Sequence, residues 1–202
     1  PKRFSSPHSG VVIAKIFPPL REIIFSSIVL VATLPITIIS AILIMIEDSG
    51  PFLYKQSRVG ENGKTFLLYK FRSMRKDAEK DGAKWAEKGD NRVTRIGRIL
   101  RKTHIDEIPQ MWNILKGDLA LVGPRPERPE FVTMLEKEVP YYFLRHTIKP
   151  GFTGWAQVKF RYARNVDDSK TKFEYDLYYM KNRNIFMDLG IIIKTAQIIF
   201  TH

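Results

Sequence analysis

Two adjacent carboxylates, Asp106 and Glu107, lie in the stretch Thr103-His104-Ile105-Asp106-Glu107-Ile108-Pro109-Gln110. A proline is tolerated in a helix only within the first turn, where N–H groups have no internal partner. Pro109 therefore predicts a helix that begins near His104 or Ile105, with the acidic pair in its N-terminal turn. A carboxylate there feels the positive end of the helix dipole and stays ionised, while the free N–H groups can meet a phosphate. The same residues also suit a purely structural role, with Thr103 and Asp106 capping the helix. The surroundings favour chemistry. Arg92, Arg95, Arg98 and Arg101 recur every third residue just upstream, and Arg101 is the nearest of them to the pair. Downstream, Leu119 to Val122 reads as a short buried strand ending in Gly123-Pro124-Arg125-Pro126. The two prolines fix the backbone around Arg125, so its guanidinium has little entropy left to lose, which suits bidentate phosphate binding. A proline-rich turn with a solvated arginine is the alternative. A further turn, Lys149 to Trp155, leads on to Arg161.

These residues need a platform, and the most distinctive element of the chain says where it stands. Ile23 to Ile46 is 24 residues without a charge, with Pro35 at its centre, in a chain of 202 residues and formal charge +12. A straight helix of that length reaches roughly 36 Å, enough for a hydrocarbon core of about 30 Å. Pro35 should kink or break it near mid-depth, with Thr33, Thr37 and Ser40 close enough to satisfy the freed backbone groups. Two shapes follow, a kinked span or a wedge that enters and leaves by one face. The run is too long for a signal-peptide core, and soluble helices seldom run this far without a polar face.

The remainder, about 150 residues, suits one globular unit. Basic flanks place it on the cytoplasmic side, and the absence of cysteine excludes disulfides and thiolate metal sites. Three partners could answer the charge. Nucleic acid is disfavoured, since no helix-turn-helix, zinc or aromatic-strand module is recognisable. Anionic membrane lipids account for basic residues beside an apolar segment. A phosphate-bearing substrate accounts for where the arginines sit. The expected order is a lead-in over 1–20, a membrane helix over 21–48 broken at Pro35, and a catalytic domain over 49–202. That domain carries short strands near 52–54 and 66–71 around the turn Gly60-Glu61-Asn62-Gly63, and a charged helix or loop from 74 to 90 that could act as a lid. Helices follow near 92–103 and 105–115, then amphipathic segments at 131–145, 173–181 and 187–200. The fold class is α/β, α-rich with few short strands.

One family arranges such motifs in this order. Lys70-Phe71-Arg72-Ser73-Met74, Ile105 to Asn113, Lys116-Gly117-Asp118, Val122 to Pro126, Arg145-His146, Lys149 to Gln157, Phe173 to Tyr179 and Asp188 together resemble the bacterial sugar transferase family. These are monotopic phosphoglycosyl transferases, and the chain resembles the C-terminal catalytic part of the longer members, for which its Pro1 start is fitting. The resemblance implies that the apolar segment is a re-entrant helix broken at Pro35. It implies a UDP-sugar donor, polyprenol phosphate as acceptor, release of UMP, and a place on the cytoplasmic face of the inner membrane early in exopolysaccharide, O-antigen or capsule synthesis. Asp106 would be the nucleophile and Glu107 its partner, with Mg²⁺ held by Asp106 and Glu107. Arg101 and Arg125 would clamp phosphate, and Lys70, Arg72, Arg161 and Asp188 match further family positions near the site. A homo-oligomer is compatible with this reading, and nucleic acid is not among the implied partners. Departures from the pattern are Pro18-Pro19 in place of a Lys-Arg pair, Glu22 at the following acidic position, Lys159-Phe160-Arg161 in place of Asn-Gly-Arg, and His104 in place of Ser. The rival readings are a non-catalytic membrane module that binds nucleotide or lipid phosphate, and a membrane phosphatase.

Overall fold

The charge-free run folds into two helices, Leu20–Ala32 (α1) and Leu34–Glu47 (α2), bent by 59° at Thr33. The structure is a computed structural model and describes residues 18–78, 80, 90–160 and 165–201. The lead-in therefore lies almost wholly outside the described residues, as do position 79 and positions 81–89 of the expected lid. The break falls two residues before Pro35, which occupies the first turn of α2, where its missing N–H costs nothing. Thr33 closes α1 by donating its hydroxyl to the Val29 carbonyl at 2.7 Å, and its own carbonyl accepts from Thr37 N–H at 2.8 Å. Among the described residues no single helix is long and apolar enough to cross a membrane, whereas the bent pair together has the length and composition.

The pair is inverted relative to a helix of a soluble protein. Its polar residues Glu22, Ser26 and Ser40 are buried against the rest of the chain, and Ile24, Ile28, Val31, Ile36, Ile38, Ile39 and Ile46 are exposed. Val29 and Leu30 of α1 pack on a core of Leu68, Met111, Ile114 and Leu119. Ile44 of α2 joins Phe71 and Leu100 in another. Polar fastenings add direction: Glu47 accepts from the N–H groups of Arg95 and Ile96 at 2.6 and 2.9 Å, capping the next helix.

The body carries two small sheets. Leu53–Val59 (β1) and Thr65–Phe71 (β2) form an antiparallel hairpin with Tyr54 opposite Lys70. Its turn passes through Asn62 at φ 57°, a left-handed position that asparagine accepts readily. β1 runs on to Val59, beyond the short strand near 52–54 that the sequence suggests, because the whole strand pairs with β2. Ala120–Val122 (β3) and Gly151–Thr153 (β4) pair in parallel. Arg95–Lys102 (α3), Gln110–Leu115 (α4), Pro129–Glu138 (α5), Trp155–Lys159 (α6), Val166–Asn182 (α7) and Ile185–Phe200 (α8) complete the helices, with 3₁₀ turns at Ile105–Glu107 and Tyr142–Thr147. The helix expected from 105 to 115 is therefore split. His104 sits at φ 56°, the acidic pair lies on a 3₁₀ turn, and the α-helix starts only after Pro109. The segment expected as one amphipathic helix from 131 to 145 is α5 followed by the second 3₁₀ turn.

Candidate active site

Asp106 and Glu107 face a cavity of about 590 Å³ whose wall includes Lys70 from β2, Arg101 from α3 and Arg125 from the turn after β3. Each element is held close by a local rule. α3 lies against the strand end because residue 97 is glycine: a Cβ there would come within 2.1 Å of the Ser73 carbonyl oxygen. This approach lets the Arg101 Nε donate to Ser73 Oγ at 2.8 Å. β3 and β4 approach so closely that a Cβ on Gly151 would lie 2.0 Å from the Gly123 nitrogen. That contact anchors the Pro124-Arg125-Pro126 turn. The Arg125 carbonyl accepts from Arg145 Nη2 at 2.8 Å, and Arg145 is itself held by Asp176 at 2.9 Å in a pair 5% and 3% exposed at the side chains. On the other side the Pro126 carbonyl accepts from Arg58 Nη1 at 3.2 Å. Under α4, Asn113 accepts from Tyr69 N–H at 3.0 Å and donates to the Leu67 carbonyl at 2.7 Å and to Asp118 at 3.1 Å, tying the hairpin to the helix.

The two carboxylates are neighbours in sequence and opposites in surroundings. Glu107 Oε1 accepts from Lys70 Nζ at 3.0 Å and from Arg125 Nη2 at 2.6 Å. Burial alone would raise its pKa, but Arg125 and Lys70 outweigh that and hold it well below the usual carboxylate range. Asp106 is 8% exposed, and among the described residues its carboxylate has neither an ion pair nor a hydrogen bond. Burial, reinforced by the negative charge of Glu107, pushes it up to about 6, against the milder pull of Lys70, Arg101 and Arg125. The capping role open to Thr103 is not taken up: its hydroxyl donates back to the Ile99 and Leu100 carbonyls.

Such a site offers an ionised, desolvated carboxylate beside fixed positive charge, which suits attack on a phosphorus centre. Among the described residues no three His, Cys, Asp or Glu side chains converge as a metal cage. The donor set suits a hard cation that takes one or two carboxylate oxygens and completes its shell with substrate phosphate and water, the usual habit of Mg²⁺. The uncompensated Asp106 carboxylate leaves charge available for it.

Of the residues singled out from sequence, Asp106, Glu107, Lys70, Arg101 and Arg125 come together. Arg72 lines the same cavity, yet its guanidinium reaches the carbonyls of Ile44, at 3.5 Å, and Asp48, so it ties α2 to the strand. Asp188 stands elsewhere, lining a second cavity and accepting from the Tyr179 hydroxyl at 2.8 Å. Arg161 lies outside the described residues. Sequence reasoning passes over Gln56 and Arg58, whose period-two spacing with Tyr54 along β1 lines the cavity and is the available signal. It also gives no role to Arg145 and Asp176, 31 residues apart, since no local pattern announces their contact.

Comparison with known proteins gives a consistent picture. The model of the family described as bacterial sugar transferase matches residues 13–202. A UDP-N-acetylgalactosamine-undecaprenyl-phosphate N-acetylgalactosaminephosphotransferase of Aeromonas hydrophila is 47% identical over 167 residues, 83% of this chain and 40% of the relative. A UDP-glucose:undecaprenyl-phosphate glucose-1-phosphate transferase of Klebsiella pneumoniae is 37% identical over 195 residues, 96% of this chain and 42% of the relative. An exopolysaccharide production protein of Rhizobium leguminosarum bv. phaseoli is 41% identical over 182 residues, 86% of this chain and 90% of the relative. The chain thus spans about two fifths of the length of the first two relatives and most of the third.

Proposed function

The chain belongs to the bacterial sugar transferase family, and from that premise we propose that it moves a sugar 1-phosphate from a UDP-sugar to polyprenol phosphate, with Asp106 as nucleophile. The observation that carries this reading is the contrast within the acidic pair: Glu107 Oε1 is held by both Lys70 and Arg125, whereas Asp106 is buried and, among the described residues, unpaired. A carboxylate already bonded to two cations is a poor nucleophile. One without partners, with a pKa near 6, is ionised at neutral pH and retains its electron pair.

In the first half-reaction an Asp106 carboxylate oxygen attacks the sugar-bearing phosphorus of the donor. A phosphorus–oxygen bond to Asp106 forms, the bond to the bridging oxygen breaks, and UMP leaves with that electron pair. Arg101 and Arg125, on the wall of the same cavity, would take up the charge that accumulates on the phosphates, and Lys70 with Arg125 holds Glu107 in place. Bound Mg²⁺ would be held by Asp106 and Glu107 and would lower the charge of the diphosphate. In the second half-reaction a phosphate oxygen of the lipid acceptor attacks the same phosphorus, which regenerates Asp106 and forms the lipid-linked diphosphate sugar. The bent pair α1–α2, with its exposed apolar surface, supports a re-entrant wedge on the cytoplasmic face of the inner membrane that brings lipid acceptor and soluble donor to one depth.

The test is single turnover without acceptor. Protein mixed with a UDP-sugar radiolabelled on the sugar-linked phosphorus should release UMP and retain label on the Asp106 peptide. Release of UMP only when acceptor is present, with no labelled protein, would establish direct transfer instead.

A further inference from the structure

Glu47 ends α2, just past Met45 and Ile46, whose apolar side chains are exposed. Its carboxylate reaches out of the bent pair: Oε1 accepts from Arg95 N–H at 2.6 Å and Oε2 from Ile96 N–H at 2.9 Å, the first two N–H groups of α3. The third, on Gly97, is taken by the helix's own cap, Thr94 Oγ1, at 2.9 Å. First-turn donors have no partner within their helix and carry partial positive charge, so a carboxylate spanning two of them binds firmly and in one orientation. The apolar contacts between the two helices lack that direction. Ile44, Phe71 and Leu100 cluster with Ile96 beside them, and such contact alone would let α3 slide or turn on the surface. The Glu47 bonds fix its height and rotation, and Gly97 seats it on Ser73. Arg101 stands on its last turn, about 9 Å along the axis from Arg95. There its Nε donates to Ser73 Oγ at 2.8 Å, and the side chain shares the cavity wall with Asp106.

We propose that Glu47 is a positioning residue for Arg101: by fixing α3 against the bent pair, it sets where the guanidinium meets the donor diphosphate. This rests on the proposed role of Arg101 at the donor phosphates. Of the three arginines on α3, Arg95 and Arg98 are exposed, and Arg101 is the one on the cavity wall. Among the described residues Glu47 is not part of that wall, so its effect on the donor runs through α3. The sign of that effect is diagnostic. A carboxylate acting directly on a diphosphate repels it, and its removal would tighten donor binding. A carboxylate that holds an arginine in place weakens donor binding when it is removed. Seating of the apolar pair and geometry of the phosphate clamp then become one mechanical property.

The intact protein in nanodiscs is titrated calorimetrically with UDP in the presence of Mg²⁺, since UDP carries the diphosphate common to all UDP-sugars. Arg101→Met should weaken binding about tenfold and Glu47→Ala about fivefold, the scale of one charge-assisted hydrogen bond and of one helix cap. The double variant should bind no more weakly than Arg101→Met alone, where independent effects would multiply to about fiftyfold. Glu47→Gln keeps one acceptor oxygen and should lose less, about twofold. A melt followed by circular dichroism checks each fold, and if Glu47→Ala does not fold, Glu47→Gln carries the same cycle. UDP affinity unchanged or raised in Glu47→Ala overturns the coupling alone, as does multiplication of the two effects in the double variant. An Arg101→Met variant that binds UDP as the parent does, or a parent that binds none, overturns the role of Arg101 at the donor phosphates and the coupling with it.

Discussion

The two cavities solve the same electrostatic problem in different ways. In the first, cations touch a carboxylate directly: Lys70 and Arg125 close on Glu107 at 3.0 and 2.6 Å and leave its neighbour Asp106 bare. In the second, Arg21, Lys149 and Arg183 line the wall with Glu22 and make no ion pair with it among the described residues, so burial raises its pKa against the milder pull of Lys149 and Arg21. Pairing within the protein holds Glu107 and leaves beside it the carboxylate that we propose as the nucleophile. In the second cavity no such pairing forms among the described residues. The difference teaches that a count of charged residues lining a pocket says little until one knows which already hold each other.

The sharpest way to break this comparison is Asp106→Asn. The change keeps the shape and removes the nucleophile, so turnover should fall by roughly 10⁴-fold or more. The same variant should be more heat-stable than the parent at neutral pH. A carboxyl whose folded pKa is raised to about 6, above its ordinary 3.8, binds its proton more tightly in the folded state, so it costs stability when ionised and regains it as pH falls between those values. The gain from the variant should therefore shrink towards pH 4, and a melting temperature below that of the parent at pH 7.5 would count against the buried, unpaired carboxylate. In the parent, the rate of UMP release should drop as pH falls below about 6, because the nucleophile takes up a proton.

Next in size is Arg125→Met. It removes one of the two cations on Glu107 and a proposed phosphate ligand together, so activity should fall by about 10²- to 10³-fold. The buried Glu107 would lose part of its support, with stability falling by about 3 kcal/mol. Denaturant titration and steady-state kinetics measure the two losses separately. Chelation tests the metal: excess EDTA should stop UMP release, and added Mg²⁺ should restore it. Unchanged rates would show that the arginines alone neutralise the donor.

Arg145→Met probes the layer behind. It strands Asp176 in a buried site and frees the carbonyl of Arg125, so we expect a loss of about 3–5 kcal/mol in stability. The activity that remains should show a raised KM, since the turn carrying Arg125 would be held less firmly.

The smallest effect is expected at Pro35. The bend lies at Thr33, and Pro35 sits in the first turn of α2, so Pro35→Ala restores only one N–H and should reduce activity by less than about tenfold. Cysteines at Arg21 and Ser49 should both react with an impermeant thiol reagent from the cytoplasmic face, in a chain that has no cysteine of its own. Labelling from opposite faces would replace the wedge with a span and leave the chemistry at Asp106 intact.

Much of the candidate site is legible in the order of the residues, because its information is local. Asp106, Glu107 and Pro109 lie within four positions, Arg125 stands between two prolines, and a charge-free run of 24 residues announces itself. The elements are legible for the same reason, with errors where tertiary contact overrides local preference. The helix expected over 105–115 is preceded by a left-handed His104 and opens on a 3₁₀ turn, a conformation that brings Glu107 up to Lys70 and Arg125. Thr103, a natural cap by type and place, turns its hydroxyl back to α3 instead.

By itself, then, the sequence determined which residue types were present to do chemistry and that an apolar pair of helices would carry them, since propensity, proline geometry and charge act over a few residues. It could not determine which of two adjacent carboxylates would be left unpaired, that Arg72 would tie down α2 while Lys70, two residues away, would reach Glu107, or that Asp188 would join a different cavity. Those outcomes depend on contacts between groups distant in the chain, 18 positions for the Arg125 and Glu107 side chains and 99 for the Leu121 N–H and the Glu22 carboxylate. Hydrogen bonds require contact within about 3 Å and Coulombic attraction weakens with distance, and only the folded chain decides which groups come that close.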